Sequence, residues 1–122
     1  MSRAAKSVLA FSLVFINGGL SLLLAPRFVL SFLGFSFTEL LFPRFVGMMM
    51  LVLAYYYIRA AWSGLTEFFK WTVHMRLMGV VFYIVFVMLG FAPVTVFGFA
   101  LMDILGALWT KWALAADKRI AA

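Results

Sequence analysis

The sequence predicts an all-α fold of the integral membrane class, a bundle of four transmembrane helices. Three observations predict it. Of its 122 residues, 67% are hydrophobic and 11% charged, against roughly 45–50% and about 25% in a soluble domain. The mean hydropathy is +1.15. The apolar residues also fall into four long runs, each matching the roughly 20 residues that one crossing needs. The prediction is a single domain over residues 1–122.

The first helix is expected at about 4–25. It ends before Pro26, which disfavours helix in the residue before it. Arg3 and Lys6 precede the apolar run as in a signal peptide, but the run from Val8 to Ala25 is long and no A-x-A site follows, so a retained helix is expected. Next comes "PRFVLSFLGFSFTELLF", apolar but short and broken by Gly34. A short interfacial or re-entrant segment is expected there. Ser36 and Glu39 have capping-box spacing, and Pro43 either kinks a helix or begins one. The second long helix covers about 43–62 and ends at Ser63-Gly64, with glycine as C-terminal cap. Thr66 is expected to cap the third, about 66–91, with Glu67 in its first turn. The "GFAP" turn at 90–93 leads to the fourth, about 93–116, and a polar tail "DKRIAA". "RFVGMMM" and "RLMGVVF" each place glycine three residues after arginine, which a snorkelling arginine beside a close-packing glycine explains.

Arg3, Lys6, Arg59, Lys70, Arg76, Lys111, Lys118 and Arg119 are assigned to one side, and only Arg27 and Arg44 to the other. The positive-inside rule then puts both termini in the cytoplasm. Trp62, Trp71, Trp109 and Trp112 fall at the same ends, as an aromatic belt would. The pI of about 10.2 is read the same way, as basic loops meeting anionic lipid, with no nucleic-acid partner.

Asp103 is the main candidate functional residue. It lies near the centre of the fourth helix, where an aspartate costs about 2.5–3.5 kcal/mol on insertion. Asn17, Tyr83 and Tyr56 lie at similar depth on the other helices and complete a candidate ligand or proton site. Gly106, Ala107 and Thr110 share the face of Asp103, so another helix can approach closely. Lys111 is eight residues away, about 12 Å. With no cation expected at its depth, the carboxyl is expected to be largely neutral at pH 7. The plainer reading is a buried hydrogen bond that fixes helix register, contributing about 0.6 to 2 kcal/mol.

Lys70, His74 and Arg76 form a basic cluster expected to contact lipid headgroups. Met48-Met49-Met50 and fifteen phenylalanines suit core packing and lipid contact, and also leave room for a flat apolar ligand such as a quinone. No cofactor is otherwise implied. With no cysteine and one histidine, no metal site, disulfide or thiolate chemistry is expected. Phosphate loops, nucleophile elbows and metal-spaced histidines are missing from the sequence, so an enzyme is not expected.

"YYYIRAA" at 55–61, Phe68-x-x-Trp71, Arg76, "GFAP", "FG" at 97–98, Asp103 and "GALWT" at 106–110 together resemble small bacterial four-helix membrane proteins of the DoxX-like kind. The resemblance is one of layout and covers about the last two-thirds of the chain. It implies a multi-pass protein of the bacterial cytoplasmic (inner) membrane; some DoxX-like proteins are associated with quinone-linked sulfur oxidation. The chain is also similar in size to small multidrug transporters. Those carry a key glutamate in their first helix, where this chain has Asn17.

The expected function is therefore a non-enzymatic membrane subunit, or a binder of a hydrophobic or amphiphilic small molecule with Asp103 as its intramembrane polar contact. Proton-coupled transport of hydrophobic cations and an accessory role in a larger complex are the alternatives. The bilayer is the expected partner, with room for a homodimer or a larger membrane complex.

Overall fold

The computed structural model describes residues 1–35 and 39–121, which form five α-helices. They are α1 (Arg3–Leu24), α2 (Pro26–Leu33), α3 (Leu41–Ser63), α4 (Thr66–Met88) and α5 (Val96–Ala121). The long four are each long and apolar enough to cross a membrane. The segment after α1 is the eight-residue α2, with Pro26 in its first turn, where the missing N–H costs nothing.

Glycine and proline set most of the other ends. α3 begins at Leu41, so Pro43 sits in its first turn and does not kink it. Glu39 accepts the Leu41 N–H at 2.7 Å there; its expected capping partner Ser36 lies outside the described residues. At the far end Gly64 takes φ 65°, and the Leu65 N–H closes on the Ala60 carbonyl at 3.1 Å. That closure needs a left-handed residue, which glycine adopts without a Cβ penalty. It also places Leu65 at the N-cap of α4, with no capping side chain, and makes Thr66 the first helical residue rather than the expected cap.

α4 ends at Met88, short of the expected Phe91. Gly90 turns left-handed at φ 78° and the Phe91 N–H returns to the Phe86 carbonyl. α5 starts at Val96, three residues later than expected, after a turn from Pro93. It then continues through the expected tail to Ala121. Its Asp117 is anchored there: the carboxylate accepts the Arg3 and Ala4 N–H groups at 3.1 and 3.0 Å, while Ser2 Oγ accepts from Ala5. The first turn of α1 is thus capped partly by the last helix, with a negative charge where the helix dipole favours one.

α1 packs against α3 and α5 and touches α4, and α4 packs mainly against α5; α3 and α4 meet sparingly, near their turn, where Ala60, Ala61 and Phe69 share a buried cluster with α1 and α5. The bundle is therefore a curved row, α3–α1–α5–α4. α1 and α3 cross backbone to backbone. A Cβ added at Gly47 would lie 2.7 Å from the Gly19 carbonyl oxygen, and one at Gly19 would lie 2.8 Å from the Gly47 oxygen. Arg44 Nε donates to the Leu23 carbonyl at 3.3 Å and ties this pair about one turn further on.

The polarity is inverted relative to a water-soluble bundle. α4 exposes Val81, Phe82, Ile84, Val85 and Phe86 and buries Thr72 and Arg76. Ser2, Thr66 and Lys118 line one groove, so the chain ends and the α3–α4 turn meet at one end of the bundle.

Gly47→Ala is expected to lower stability by about 1–3 kcal/mol, because the obstacle is backbone that cannot rotate away. Asp117→Ala is expected to cost about 1 kcal/mol through lost capping. Thermal unfolding in mild detergent, followed by circular dichroism, checks both. A Gly47→Ala protein as stable as the wild type would contradict the backbone crossing.

Candidate functional site

Arg76 lies halfway along α4 and is only 5% exposed. It is held from three helices. From α1, the Phe11 ring lies under the guanidinium, with its centroid 3.8 Å from Cζ. A desolvated contact of this kind contributes about 2 kcal/mol. From α3, the Tyr57 ring stands 5.6 Å away. From α5, Thr110 Oγ1 accepts from Nη1 at 3.3 Å.

The Thr110 contact begins a directional chain. Thr110 Oγ1 is 2.9 Å from Ser7 Oγ, and Ser7 donates its only hydroxyl proton to the Ala4 carbonyl at 2.7 Å. Thr110 must therefore donate to Ser7 and accept from Arg76, since each hydroxyl has one proton. Three buried groups are satisfied in one line. Around them Phe11, Phe15, Tyr57 and Phe68 form a run of rings. Phe15 meets Phe11 and Tyr57 edge-to-face at 5.3 and 5.0 Å, and Tyr57 meets Phe68 at 5.4 Å. Arg76 Nε and Nη2 are buried and have no hydrogen-bond partner among the described residues.

Asp103 is half-buried on α5. Its Oδ2 lies 3.8 Å from where a Cβ on Gly79 would stand, and Arg76 Nη1 lies 3.4 Å from where one on Gly106 would stand. Each charged side chain thus lies against a glycine of the facing helix. Arg76 and Gly79 are three residues apart, as are Asp103 and Gly106, which sets the two levels about 4.5 Å apart. Asp103 feels the charge of Arg76, yet among the described residues only Lys70 and Glu67 approach within 4.0 Å as an ion pair of side chains. Tyr83 and Tyr57 both lie within range of the Asp103 charge, and the Tyr83 ring is 6.5 Å from that of Phe99.

Asp103 and Tyr83 are both half-buried and within electrostatic range of one another, while the other two expected site residues face outward. Asn17 is exposed on α1, and Tyr56 is 56% exposed on α3, stacked edge-on with Tyr55. The inward tyrosine is its neighbour Tyr57. In the expected headgroup cluster, Lys70 and His74 are exposed, Lys70 paired with Glu67 at 3.0 Å. Arg76 is a correction: it points into the bundle, so seven basic residues, not eight, remain for that end. The expectation that no cation shares the depth of Asp103 fails for the same reason. A sequence signal did exist, since Arg76-x-x-Gly79 and Asp103-x-x-Gly106 are matching pairs on antiparallel helices.

Compared with protein-family models, curated proteins and solved structures, the chain matches none.

Arg76→Met is expected to leave stability unchanged or raise it by about 1 kcal/mol, since it removes a buried charge that lacks a full set of partners. A loss of about 3–5 kcal/mol, as for breaking a satisfied buried pair, would contradict this. Thr110→Val, by contrast, strands both Nη1 and the hydroxyl chain and is expected to cost about 1–3 kcal/mol. Both are read as shifts in the thermal midpoint in detergent.

Proposed function

We propose that this is a multi-pass protein of the bacterial cytoplasmic membrane, with both termini in the cytoplasm, that binds a hydrophobic or amphiphilic small molecule within its bundle. Asp103 and Arg76 are its polar contacts. The reading is non-enzymatic: a binding protein or the binding subunit of a larger membrane complex. A DoxX-like affiliation belongs to the same proposal. It is supported by the layout of residues 55–110, and Tyr57, Phe68, Arg76, Asp103, Gly106 and Thr110 from that layout all converge on the candidate site.

One observation carries the reading: a buried guanidinium and a half-buried carboxyl group at adjacent levels, without an ion pair, among aromatic rings. Such groups are expensive inside a membrane, and a bound polar group is one way to offset the cost. Apolar outer faces support the membrane location. The seven-to-two division of basic residues between the ends supports cytoplasmic termini. α2 is short and, with Phe28 and Phe32 exposed, suits the membrane interface. Proton-coupled transport is the weaker reading, because the hydroxyl chain ends on the Ala4 carbonyl, which has no proton to pass on.

The test is native mass spectrometry of the protein extracted gently from its own membrane, beside Asp103→Asn and Arg76→Gln. The expected result is a small molecule retained by the wild type and lost or depleted in both variants. A wild-type chain carrying only the lipids of the surrounding membrane, in the same proportions as both variants, would overturn the reading.

A further inference from the structure

The geometry points to the class of ligand: an amphiphile with a zwitterionic head, its oxyanion held by the Nε and Nη2 edge of Arg76 and its cationic group by Asp103. This rests on the proposed binding of an amphiphile and deepens it.

The first step concerns the guanidinium. Its Nη1 is engaged by Thr110. The remaining pair, Nε and Nη2, forms one side of the planar group, with two parallel N–H donors. That edge matches two oxygens of a carboxylate or phosphate, which an ammonium or a single hydroxyl cannot reproduce. Both nitrogens are buried and unpartnered on a side chain that is 95% buried by its 5% exposure. The Tyr57 hydroxyl stands close enough to interact with the guanidinium, but it does not complete a hydrogen bond to Nε or Nη2. The donors are thus arranged for an oxyanion that no residue of the described bundle supplies.

The second step concerns the head as a whole. Asp103 sits about one helical level away, against Gly79, too far for contact with Arg76 and near enough to feel its charge. An anionic head on Arg76 would also meet the Asp103 carboxyl. A cationic head on Asp103 would also meet the guanidinium. A head with both charges, separated by a few bonds as in a phosphoethanolamine, offers each residue its opposite and brings no net charge into the bundle. Burial of net charge is what an apolar surrounding penalises most.

The third step is access. α3 and α4 make few contacts beyond the cluster of Ala60, Ala61 and Phe69 near their turn, and Tyr57 and Phe68 bridge them edge-to-face. Tyr57 is only half-buried, so rotation of one ring opens a lateral route to the guanidinium edge. A route between two apolar helices admits a tailed molecule from the lipid side. A soluble zwitterion would have to cross that same apolar layer.

The experiment measures retention of defined probes by the full-length protein in neutral detergent, by native mass spectrometry. The probes share one acyl or alkyl chain length: lysophosphatidylethanolamine (zwitterion), lysophosphatidylglycerol (anion), an alkylamine (cation) and a monoacylglycerol (neutral). Free phosphoethanolamine is the head without a tail. The wild type should retain the zwitterion about tenfold more tightly than any other probe, and Arg76→Lys and Asp103→Asn should each lose about that factor. Tyr56→Phe, on the outer face, should behave as wild type. An anion retained as tightly as the zwitterion would remove Asp103 from selection, and an equally retained amine would remove Arg76. Either result overturns the zwitterion and leaves amphiphile binding standing. Equal retention of free phosphoethanolamine would make the ligand a soluble zwitterion and overturn the tail. Retention of none of the tailed probes by the wild type would overturn the proposed binding function itself. The comparison across probes uses the wild type alone, so it stands even where a variant fails to fold.

Discussion

A guanidinium buried in an apolar bundle, with one of its three nitrogens hydrogen-bonded, is the constraint on which the rest of the arrangement depends. Removing such a group from water costs several kcal/mol, and the neighbouring helices are shaped around reducing that cost. Phe11 gives its face, Thr110 its hydroxyl oxygen, and Ser7 the acceptor that Thr110 then needs. Gly106 leaves room for the guanidinium where any side chain would meet it. These polar groups lie inside among small apolar residues and a few buried rings, while many phenylalanine, valine and methionine side chains face outward. Water would not select so apolar an outer surface, and it is consistent with lipid as the solvent, where burying apolar side chains gains little.

The helices reach this geometry through backbone contacts as much as through side chains. Gly19 and Gly47 let α1 and α3 touch at their main chains, which fixes how close Tyr57 stands to Phe11 and Phe15. At the other seam Asp117 ties α5 to the first turn of α1. Ser7 and Thr110 lie between that tie and Arg76, on the same two helices. Register between α1 and α5 is therefore set twice, once by a cap and once by a hydroxyl pair. α4 is positioned largely through α5, and near the α3–α4 turn also by Phe69, which is buried with Ala60 and Ala61 of α3.

How much of this could be read from the sequence depended on whether a signal was axial or rotational. Axial signals were strong. Pro26, Pro43 and Gly64 mark where helices can start or stop, and the four long helices begin and end within a few residues of where these imply. Depth was equally legible for Asp103 and Tyr83. Rotation was not. Consecutive residues on a helix point about 100° apart, so Tyr56 and Tyr57 share a depth but only Tyr57 turns inward. In a helix apolar on every side, hydrophobic periodicity provides no phase to choose between them. Asn17 was misjudged for the same reason. Arg76 was misjudged differently: counting basic residues toward the nearest turn assigned it to a membrane surface, although it lies ten residues inside α4. Its spacing to Gly79, mirrored by Asp103 and Gly106, carried the information, but only a pairing of α4 with α5 makes that spacing meaningful.

The separation of Arg76 from Asp103 is best understood as a consequence of packing. Coulombic attraction between opposite charges at this range in a poorly solvated interior exceeds that in water several-fold, so left to electrostatics the two would close. Asp103 has a short side chain, and its oxygen rests in the space that Gly79 leaves on its own level. The level of Arg76 is occupied. The Phe11 ring lies 2.8 Å from where a Cβ on Gly106 would stand, and the guanidinium sits over its face with Cζ 3.8 Å from the centroid. Phe11 therefore performs two tasks at once: it offsets part of the cost of burying the cation, and it fills the space through which the carboxylate would approach. The same ring that makes an unpaired arginine tolerable also keeps it unpaired, and leaves its two-donor edge for a partner other than Asp103.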